Sequence, residues 1–161
     1  MAPPALTATV RYVPPGTRKI YFVVTVANYT TPGPTRAELN AGTDLTNEIA
    51  SITGFTVTSD TIEVPDMSGR FAAKIAGRIH AADSAMMFYL SSTSADVRTV
   101  LPRDTVGYVV ALWEGDITGQ KMDVFPVKVT SATIQTDTEA AAQIEVAFAV
   151  TRVPALNLTI P

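Results

Sequence analysis

The sequence predicts a mainly β protein, specifically a β-sandwich or partly closed barrel with one flanking α-helix and extended arms. Two observations support this prediction. Roughly seven segments are rich in Val, Ile, Thr, Phe and Tyr, and short stretches containing Gly, Pro or Asn separate them. In several of these segments apolar and polar residues alternate, which is typical of a strand with one face towards a core.

The size and composition favour one domain over residues 1–161 that associates with other subunits. Hydrophobic residues make up 47% of the chain and charged residues 17%, so the chain is more apolar than an average soluble domain. We expect a subunit interface to cover the surplus. The net charge of −3 argues against specific binding of DNA or RNA and against attraction to an anionic membrane.

The N-terminus predicts an extended arm over residues 1–16, because Pro14-Pro15-Gly16 cannot continue a strand ladder. Residues 7–12 could still pair at the edge of a sheet. The first residues lack the basic region and apolar core of a signal peptide, and no segment approaches the roughly 20 apolar residues of a membrane span. We therefore expect folding in the cytoplasm and no membrane insertion.

The first half of the chain predicts a buried strand, a short helix and a pair of strands. Residues 19–27 are apolar on both faces, so both faces should be covered. Pro34 is suited to open a helix through Asn40, and Gly42 would end it. Residues 46–64 read as one long strand, or as two strands joined by a kink at Gly54.

The middle of the chain predicts a two-faced strand followed by the one long helix. Through Ala81, apolar residues alternate with a cationic row. The apolar row is Phe71, Ala73, Ile75 and Ile79, and the cationic row is Arg70, Lys74, Arg78 and His80. The helix would begin at Asp83 or Ser84 and be stopped by Pro102, with a break in the serine-rich stretch 91–94.

The last third predicts three strands and a tail. Residues 105–113 and 122–135 would form a hairpin around the glycines of the connection 114–120. Pro126 implies an edge, a bulge or a bend. Residues 143–151 alternate clearly, and residues 152–161 form a short C-terminal arm.

The sequence offers no constellation for catalysis and no cofactor or metal site. Nucleophilic catalysis usually needs a His near a Ser, Cys or Asp, and His80 is the single histidine, without an obvious carboxylate partner. The acidic residues Asp60, Glu63 and Asp66 lack the spacing of a Ca²⁺ loop. The absence of cysteine excludes disulfides and thiolate ligands. These observations favour a structural protein over an enzyme.

Six stretches resemble a known family. They are residues 34–43, 54–60, 101–116, 121–129, 139–151 and 154–161, which together span nearly the whole chain. They resemble the major tail tube proteins of long, non-contractile-tailed (siphovirus-type) phages of actinobacteria. The resemblance implies a virion protein that forms homo-hexameric rings. Those rings stack into a helical tube for the tape-measure protein and viral DNA, which passes during genome ejection without specific binding. Tail terminator and distal tail or baseplate proteins would contact its two ends.

Alternation and the implied tube together suggest two sets of residues. The candidate lumen-facing residues occupy the polar rows of amphipathic strands: Thr56, Thr58, Asp60, Glu63, Gln143 and Glu145. The candidate inter-subunit residues are Arg70, Lys74, Arg78, Pro154, Leu156, Leu158 and Ile160. We expect lysine at Asp60, Glu63 and Glu145 to slow genome ejection from intact rings. Deletion of the C-terminal arm should impair tube growth before folding.

Two alternatives remain open at this stage. A tube subunit of a contractile tail or injection system would share the fold and the ring. A monomeric carbohydrate-binding β-sandwich is a different class of protein, and it should carry an exposed aromatic platform that the sequence does not show.

Overall fold

The computed structural model describes residues 13–65, 67, 69–93, 96–136 and 140–161. Within these residues, strands dominate and helices are short. The strands are β1 Lys19–Val23, β2 Thr43–Asp44, β3 Ile49–Thr53, β4 Val57–Val64, β5 Ala73–Ala81, β6 Ser84–Tyr89, β7 Val106–Leu112, β8 Lys121–Gln135, β9 Gln143–Val150 and β10 Ala155–Thr159. The helices are α1 Arg36–Asn40 and α2 Val97–Val100, and a 3-10 turn covers Thr46–Glu48.

The main sheet is antiparallel and runs in the order β2-β1-β7-β8-β9-β6-β3, with β10 beside β8. The 15-residue strand β8 joins its two halves, because its first part pairs with β7 and β10 and its second part pairs with β9. Pro126, which lacks a backbone N–H, lies where β8 exchanges β10 for β9, and a bulge follows at Thr130. The sheet therefore bends into two packed layers, which confirms the mainly β, sandwich-type fold.

The larger core lies between the two layers. Phe22 of β1 and Val109 of β7 face Met86 of β6 and Val146 of β9, and all four side chains are buried. Phe55 packs edge-on against Phe125 at 5.3 Å between ring centroids. These contacts fix how β9 and β6 lie across β1 and β7.

A second core covers the opposite face of β1 and β7. Val23, Val110 and Leu112 point to this side, and Leu39 of α1 and Ile160 near the C-terminus pack over them. The prediction that the first strand is covered on both faces is confirmed over β1.

Helix α1 confirms the predicted short helix. Thr35 caps its first turn, because the Thr35 hydroxyl accepts from Glu38 N–H while the Glu38 carboxylate accepts from the Thr35 backbone N–H at 2.7 Å. Gly42 follows the helix, and a Cβ there would lie 2.8 Å from Val23 Cγ2. Close packing against β1 therefore requires glycine at this position.

The predicted long helix over residues 83–101 is wrong. Residues Ser84–Tyr89 form strand β6, and only Val97–Val100 are helical, capped by the Asp96 carboxylate that accepts from Arg98 N–H. In β6 the buried residues Ser84, Met86 and Phe88 alternate with more exposed ones. This segment carries apolar side chains on both faces, so its hydrophobic periodicity is compatible with either a helix or a strand. It forms a strand because it pairs with β3 on one side and with β9 on the other.

The predicted kink at Gly54 is confirmed. Gly54 has φ +78° and Phe55 has φ +55°, so two consecutive left-handed residues turn the chain from β3 into β4. A Cβ at Gly54 would lie 2.2 Å from the Asp83 carbonyl oxygen. From this kink, β4 and β5 leave the main sheet as a separate two-stranded hairpin.

The hairpin is a correction to the predicted two-faced strand. β5 forms, but its apolar residues are not buried, since Ile75 is 54% and Ile79 is 65% exposed. Ile75 lies opposite Ile62, and Ile79 lies opposite Ser59, three residues away along β4. A bulge between these pairs therefore turns Ile75 and Ile79 to opposite faces of the hairpin.

The two chain ends differ from each other. Residues 1–12 of the predicted N-terminal arm, with the proposed edge pairing of residues 7–12, lie outside the described residues. At the other end, β10 pairs with β8 of the same chain and Ile160 is 1% exposed. This part of the predicted C-terminal arm belongs to the fold of the subunit.

Candidate assembly surfaces

Four neighbouring strands of the main sheet share one exposed face. They are β3, β6, β9 and the second half of β8, which pair in that order. The inner residues of β6 and β9 are buried in the core, whereas Ala132 and Ile134, the inner residues at the end of β8, are exposed. Directly paired residues share a face, so the register defines an outer face. It consists of Ser51, Thr53, Ala85, Met87, Tyr89, Lys128, Ser131, Thr133, Gln135, Gln143, Glu145, Ala147 and Ala149, and we call it the outer polar face.

The outer polar face combines Ser, Thr and Ala side chains with larger ones such as Met87 and Tyr89, and it is close to neutral. The charged residues among its members are Lys128 and Glu145. The Gln135 side-chain amide donates to the Glu145 carboxylate at 2.7 Å, and Lys128 Nζ lies 2.8 Å from the Asp104 carboxylate. The hydrogen bond from Lys128 lowers the pKa of Asp104. Each charge on this face therefore has a polar partner at its side.

Both lateral edges of this four-stranded unit lack a partner within the described part of the chain. There β3 pairs only with β6, and residues Ser131–Gln135 of β8 pair only with β9. An exposed strand edge is a template for pairing with another chain. Three antiparallel pairings separate β3 from β8, so these two edge strands run in opposite directions. The edge of one copy therefore has the polarity needed to continue the sheet of the next copy antiparallel.

The structure does not bring the six candidate lumen residues together. Gln143 and Glu145 lie on the outer polar face, whereas Thr58, Asp60 and Glu63 lie on the β4–β5 hairpin and Thr56 just precedes it. Along β4, Glu63 points to the face opposite to that of Thr58 and Asp60. The alternation of polar and apolar residues identifies each polar row, but it does not show to which sheet the row belongs.

The cationic row of the hairpin is partly paired within the hairpin. Lys74 lies 3.2 Å from Glu63, and His80 Nδ1 lies 3.7 Å from Asp60 while its Nε2 contacts the Thr58 hydroxyl at 3.1 Å. Sequence reasoning found no carboxylate for His80, because the partner lies across the hairpin, 20 residues away by number. The register of β4 against β5 would have identified Asp60 as the partner of His80. Arg70 and Arg78 are exposed on the same hairpin.

The four C-terminal candidates divide between core and surface. Ile160 is buried, and its backbone N–H donates to the Gln120 carbonyl at 2.9 Å. Leu158 packs against the second core, and Pro154 is half-buried. Only Leu156 is largely exposed, at 44%.

A charged network, which the sequence did not reveal, fastens α1 to the β7–β8 connection. Arg36 pairs with both oxygens of Asp116, and Tyr21 Oη donates to the same carboxylate at 2.9 Å. The hydrogen bond from Arg36 lowers the pKa of Asp116, and burial together with the Asp116 hydrogen bond raises the pKa of Tyr21 to about 12. Tyr21 therefore stays a neutral donor.

Two further kinds of site are not found in the described part of the chain. No group of three or more His, Asp or Glu side chains there could hold a metal ion. The helices there are too short to cross a bilayer.

Comparison with known proteins agrees with a tube-forming protein. Residues 7–161 match the family described as phage tail tube protein. The chain belongs to this family and is a structural subunit of a tail tube. No curated protein sequence matches it.

Solved structures share the fold at low sequence identity. A chain of an extracellular contractile injection system, the PVC sheath/tube terminator in its extended state, aligns with a TM-score of 0.62 at 12% identity over 93% of this chain and 99% of that chain. A chain of the PVC sheath-tube complex aligns with a TM-score of 0.61 at 12% identity, over 92% and 93%. A chain of the tail of an empty gene transfer agent particle aligns with a TM-score of 0.54 at 12% identity, over 88% and 94%.

Proposed function

We propose that copies of this chain close into a ring by pairing β3 of one subunit with the second half of β8 in the next. The observation that carries the proposal is the pair of lateral edges on one four-stranded unit, with polarities that match. Closure removes both edges, which a single subunit would leave as sites of uncontrolled pairing.

The ring would contain six subunits. The tail of an empty gene transfer agent particle has C6 symmetry and the baseplate of an anti-feeding prophage has six-fold symmetry, and chains of both share this fold. Six four-stranded units give about 24 strands. Membrane barrels with about 16 to 18 strands already enclose an aqueous channel, so a barrel of this size would be open. Stacked rings would then form the tube of a virion.

The outer polar face would form the channel wall. DNA binding to proteins depends mainly on lysine and arginine contacts to phosphate. On this face Lys128 is paired with Asp104, and the neighbouring side chains are small or uncharged. The wall would therefore let viral DNA and the tape-measure protein pass without holding them. Gln143 and Glu145 keep the lumen-facing role proposed from the sequence.

The β4–β5 hairpin, with Arg70, Lys74 and Arg78, would contact other subunits. Ile62, Ile75 and Phe71 are more than half exposed on it, which is a large apolar surface for so small an element. Leu156, which is 44% exposed, is a further candidate for contacts between subunits.

The resemblance to tail tube proteins of long, non-contractile-tailed actinobacterial phages supports the same kind of virion here, assembled in the host cytoplasm, with terminator and distal tail proteins at the tube ends. A second candidate is the tube of a contractile system. The specific observation that favours it is the fold similarity to chains from contractile injection systems.

Negative-stain electron microscopy of the purified chain over a concentration series tests the ring. The proposal expects rings or tubes with six-fold symmetry, with an open centre in end-on views. A matched comparison uses Ala132→Pro and Ser131→Pro, singly, in β8. Leu90 N–H donates to the Ala142 carbonyl, so alternation along β9 places Ser131 and Thr133 in hydrogen-bonded pairs with β9, whereas the N–H groups of Ala132 and Ile134 point to the free edge. Ala132→Pro should therefore remain folded as a monomer and fail to close rings, whereas Ser131→Pro should destabilise the subunit itself. A chain that stays monomeric at every concentration would contradict the proposal.

Co-expression with a contractile sheath protein would separate the two virion types, because a tube of a contractile tail should recruit a sheath and a non-contractile tube should not.

A further inference from the structure

One region of the subunit combines an exposed aromatic side chain with a positive charge. At the tip of the β4–β5 hairpin, Phe71 is 83% exposed and Met67 is fully exposed. Arg70 lies directly beside Phe71 in the chain. The eight residues of β4 span about 26 Å, so the tip reaches well beyond the main sheet.

A second region has complementary shape and charge. The 3-10 turn and α2 enclose a cleft of about 310 Å³, lined by the apolar residues Leu45, Val97 and Val100. Its rim carries the carboxylates of Asp44 and Glu48. A cleft of this size accommodates one aromatic side chain, and an acidic rim suits an adjacent cation.

Two carboxylates of this cleft are already satisfied within the subunit. Asp44 lies 3.1 Å from Lys19, and Asp96 lies 2.7 Å from Arg98. Glu48 is exposed, and no ion pair to it is seen in residues 13–65 or in the other described ranges. Glu48 is therefore the rim carboxylate best placed to receive a cation from outside.

The tip and the cleft belong to opposite ends of the same strand pair. The hairpin leaves after Thr53 of β3 and returns before Ser84 of β6. The cleft lies beside Ile49 and beyond Tyr89, the other ends of these two strands. Barrel strands tilt by about 35–45° from the barrel axis, so the two ends of a strand lie at opposite rims of a ring. Identical rings stacked in one orientation bring opposite rims together.

We propose that the hairpin tip of each subunit docks in this cleft of a second copy in the adjacent ring, with Phe71 in the apolar cleft and Arg70 against Glu48. The contact is head-to-tail and therefore propagates a stack rather than closing a dimer. This inference rests on the proposed ring and adds the site at which rings engage.

Cysteine cross-linking tests the contact without background, because the chain has no cysteine. Phe71→Cys is combined with Glu48→Cys, and tubes are oxidised after assembly. The expected product is a ladder of covalently linked subunits that runs from ring to ring. The matched control combines Phe71→Cys with Ile117→Cys, which is also exposed but lies outside the cleft, and should give no ladder.

A charge exchange tests the same contact without cysteine. Arg70→Glu alone should raise the concentration needed for tube growth by about tenfold, the effect of losing one charged contact. Arg70→Glu together with Glu48→Arg should restore growth. Far-ultraviolet circular dichroism checks that each variant keeps its strands.

Different failures remain distinguishable. Tubes that form normally but give no ladder from the 71/48 pair, or no recovery in the double charge exchange, would overturn the docking and leave the proposed ring intact. Products confined to closed rings would place the tip in a lateral neighbour and overturn the head-to-tail contact. Absence of rings in the unmodified protein would instead contradict the proposed function.

Discussion

Replacing Ile160 with alanine tests whether the end of the chain is part of the fold of the subunit. Ile160 is 1% exposed and packs with Val110, Leu112 and Leu39 in the second core. The substitution removes three carbon atoms, worth about 2.4 kcal/mol at about 0.8 kcal/mol each, and leaves a cavity in addition. We expect the free energy of unfolding to fall by about 3 kcal/mol.

The measurement is urea unfolding of the monomeric protein at a concentration below that of assembly. A loss of about 3 kcal/mol is a large part of the roughly 5–15 kcal/mol that stabilises a typical domain. It should lower the melting temperature by about 6–12 °C. Leu156→Ala in the adjoining strand β10 provides the matched control, since Leu156 is 44% exposed and its substitution should lower the free energy of unfolding by less than about 1 kcal/mol.

Equal and small effects at both positions would refute the reasoning. They would mean that Ile160 does not contribute to the core and that the tail behaves as an arm. With Ile160 buried, deletion of residues 155–161 should destabilise the monomer before it affects tube growth. This reverses the order expected from the sequence alone.

Three other predictions follow from single sites. Gly54→Ala should lower the free energy of unfolding in urea by more than about 2 kcal/mol, because residue 54 has a left-handed φ and a Cβ there would clash with the Asp83 carbonyl. Gly119→Ala, with open space around it, should lower the free energy of unfolding by about 1 kcal/mol. Equal losses would argue against the clash. Tyr21 should titrate at about pH 12 in an absorbance titration, and Asp116→Asn should bring this value down. The pKa of Tyr21 in the folded protein lies above the unfolded value of about 10, so the neutral Tyr21 hydroxyl stabilises the fold below pH 10, and this stabilisation is lost as the pH rises from about 10 to 12. A Tyr21 pKa near 10 in the folded protein would contradict the network with Asp116. Glu145→Lys should leave tubes intact but slow DNA release, because it adds a cation to the proposed channel wall, while Glu145→Gln should not; unchanged release with lysine would contradict the proposed position of this face in the lumen.

The sequence by itself determined the features that depend on local chemistry. Residues 19–23 are apolar on both faces, and they form a strand that is covered on both faces. The capping box of Thr35 and Glu38 and the left-handed conformation at Gly54 are set by residues within a few positions. Alternation in β9 separated Ile144 and Val146 from Gln143 and Glu145. The resemblance to tail tube proteins also required only the sequence.

The tertiary structure decided whatever depends on partners distant in the chain. Residues 84–89 became a strand because β3 and β9 lie on either side, and no local signal records those neighbours. The apolar rows of β4 and β5 alternate with polar residues as if one face of each strand were buried in a core. The hairpin is separate from the main sheet, however, so Ile75 remains exposed. Likewise, the tail pairs with β8 and places Ile160 in the second core, because the β7–β8 connection brings Gln120 within hydrogen-bonding distance. Side-chain period is a local property, but burial depends on which other segment covers the face, and only the folded chain determines that.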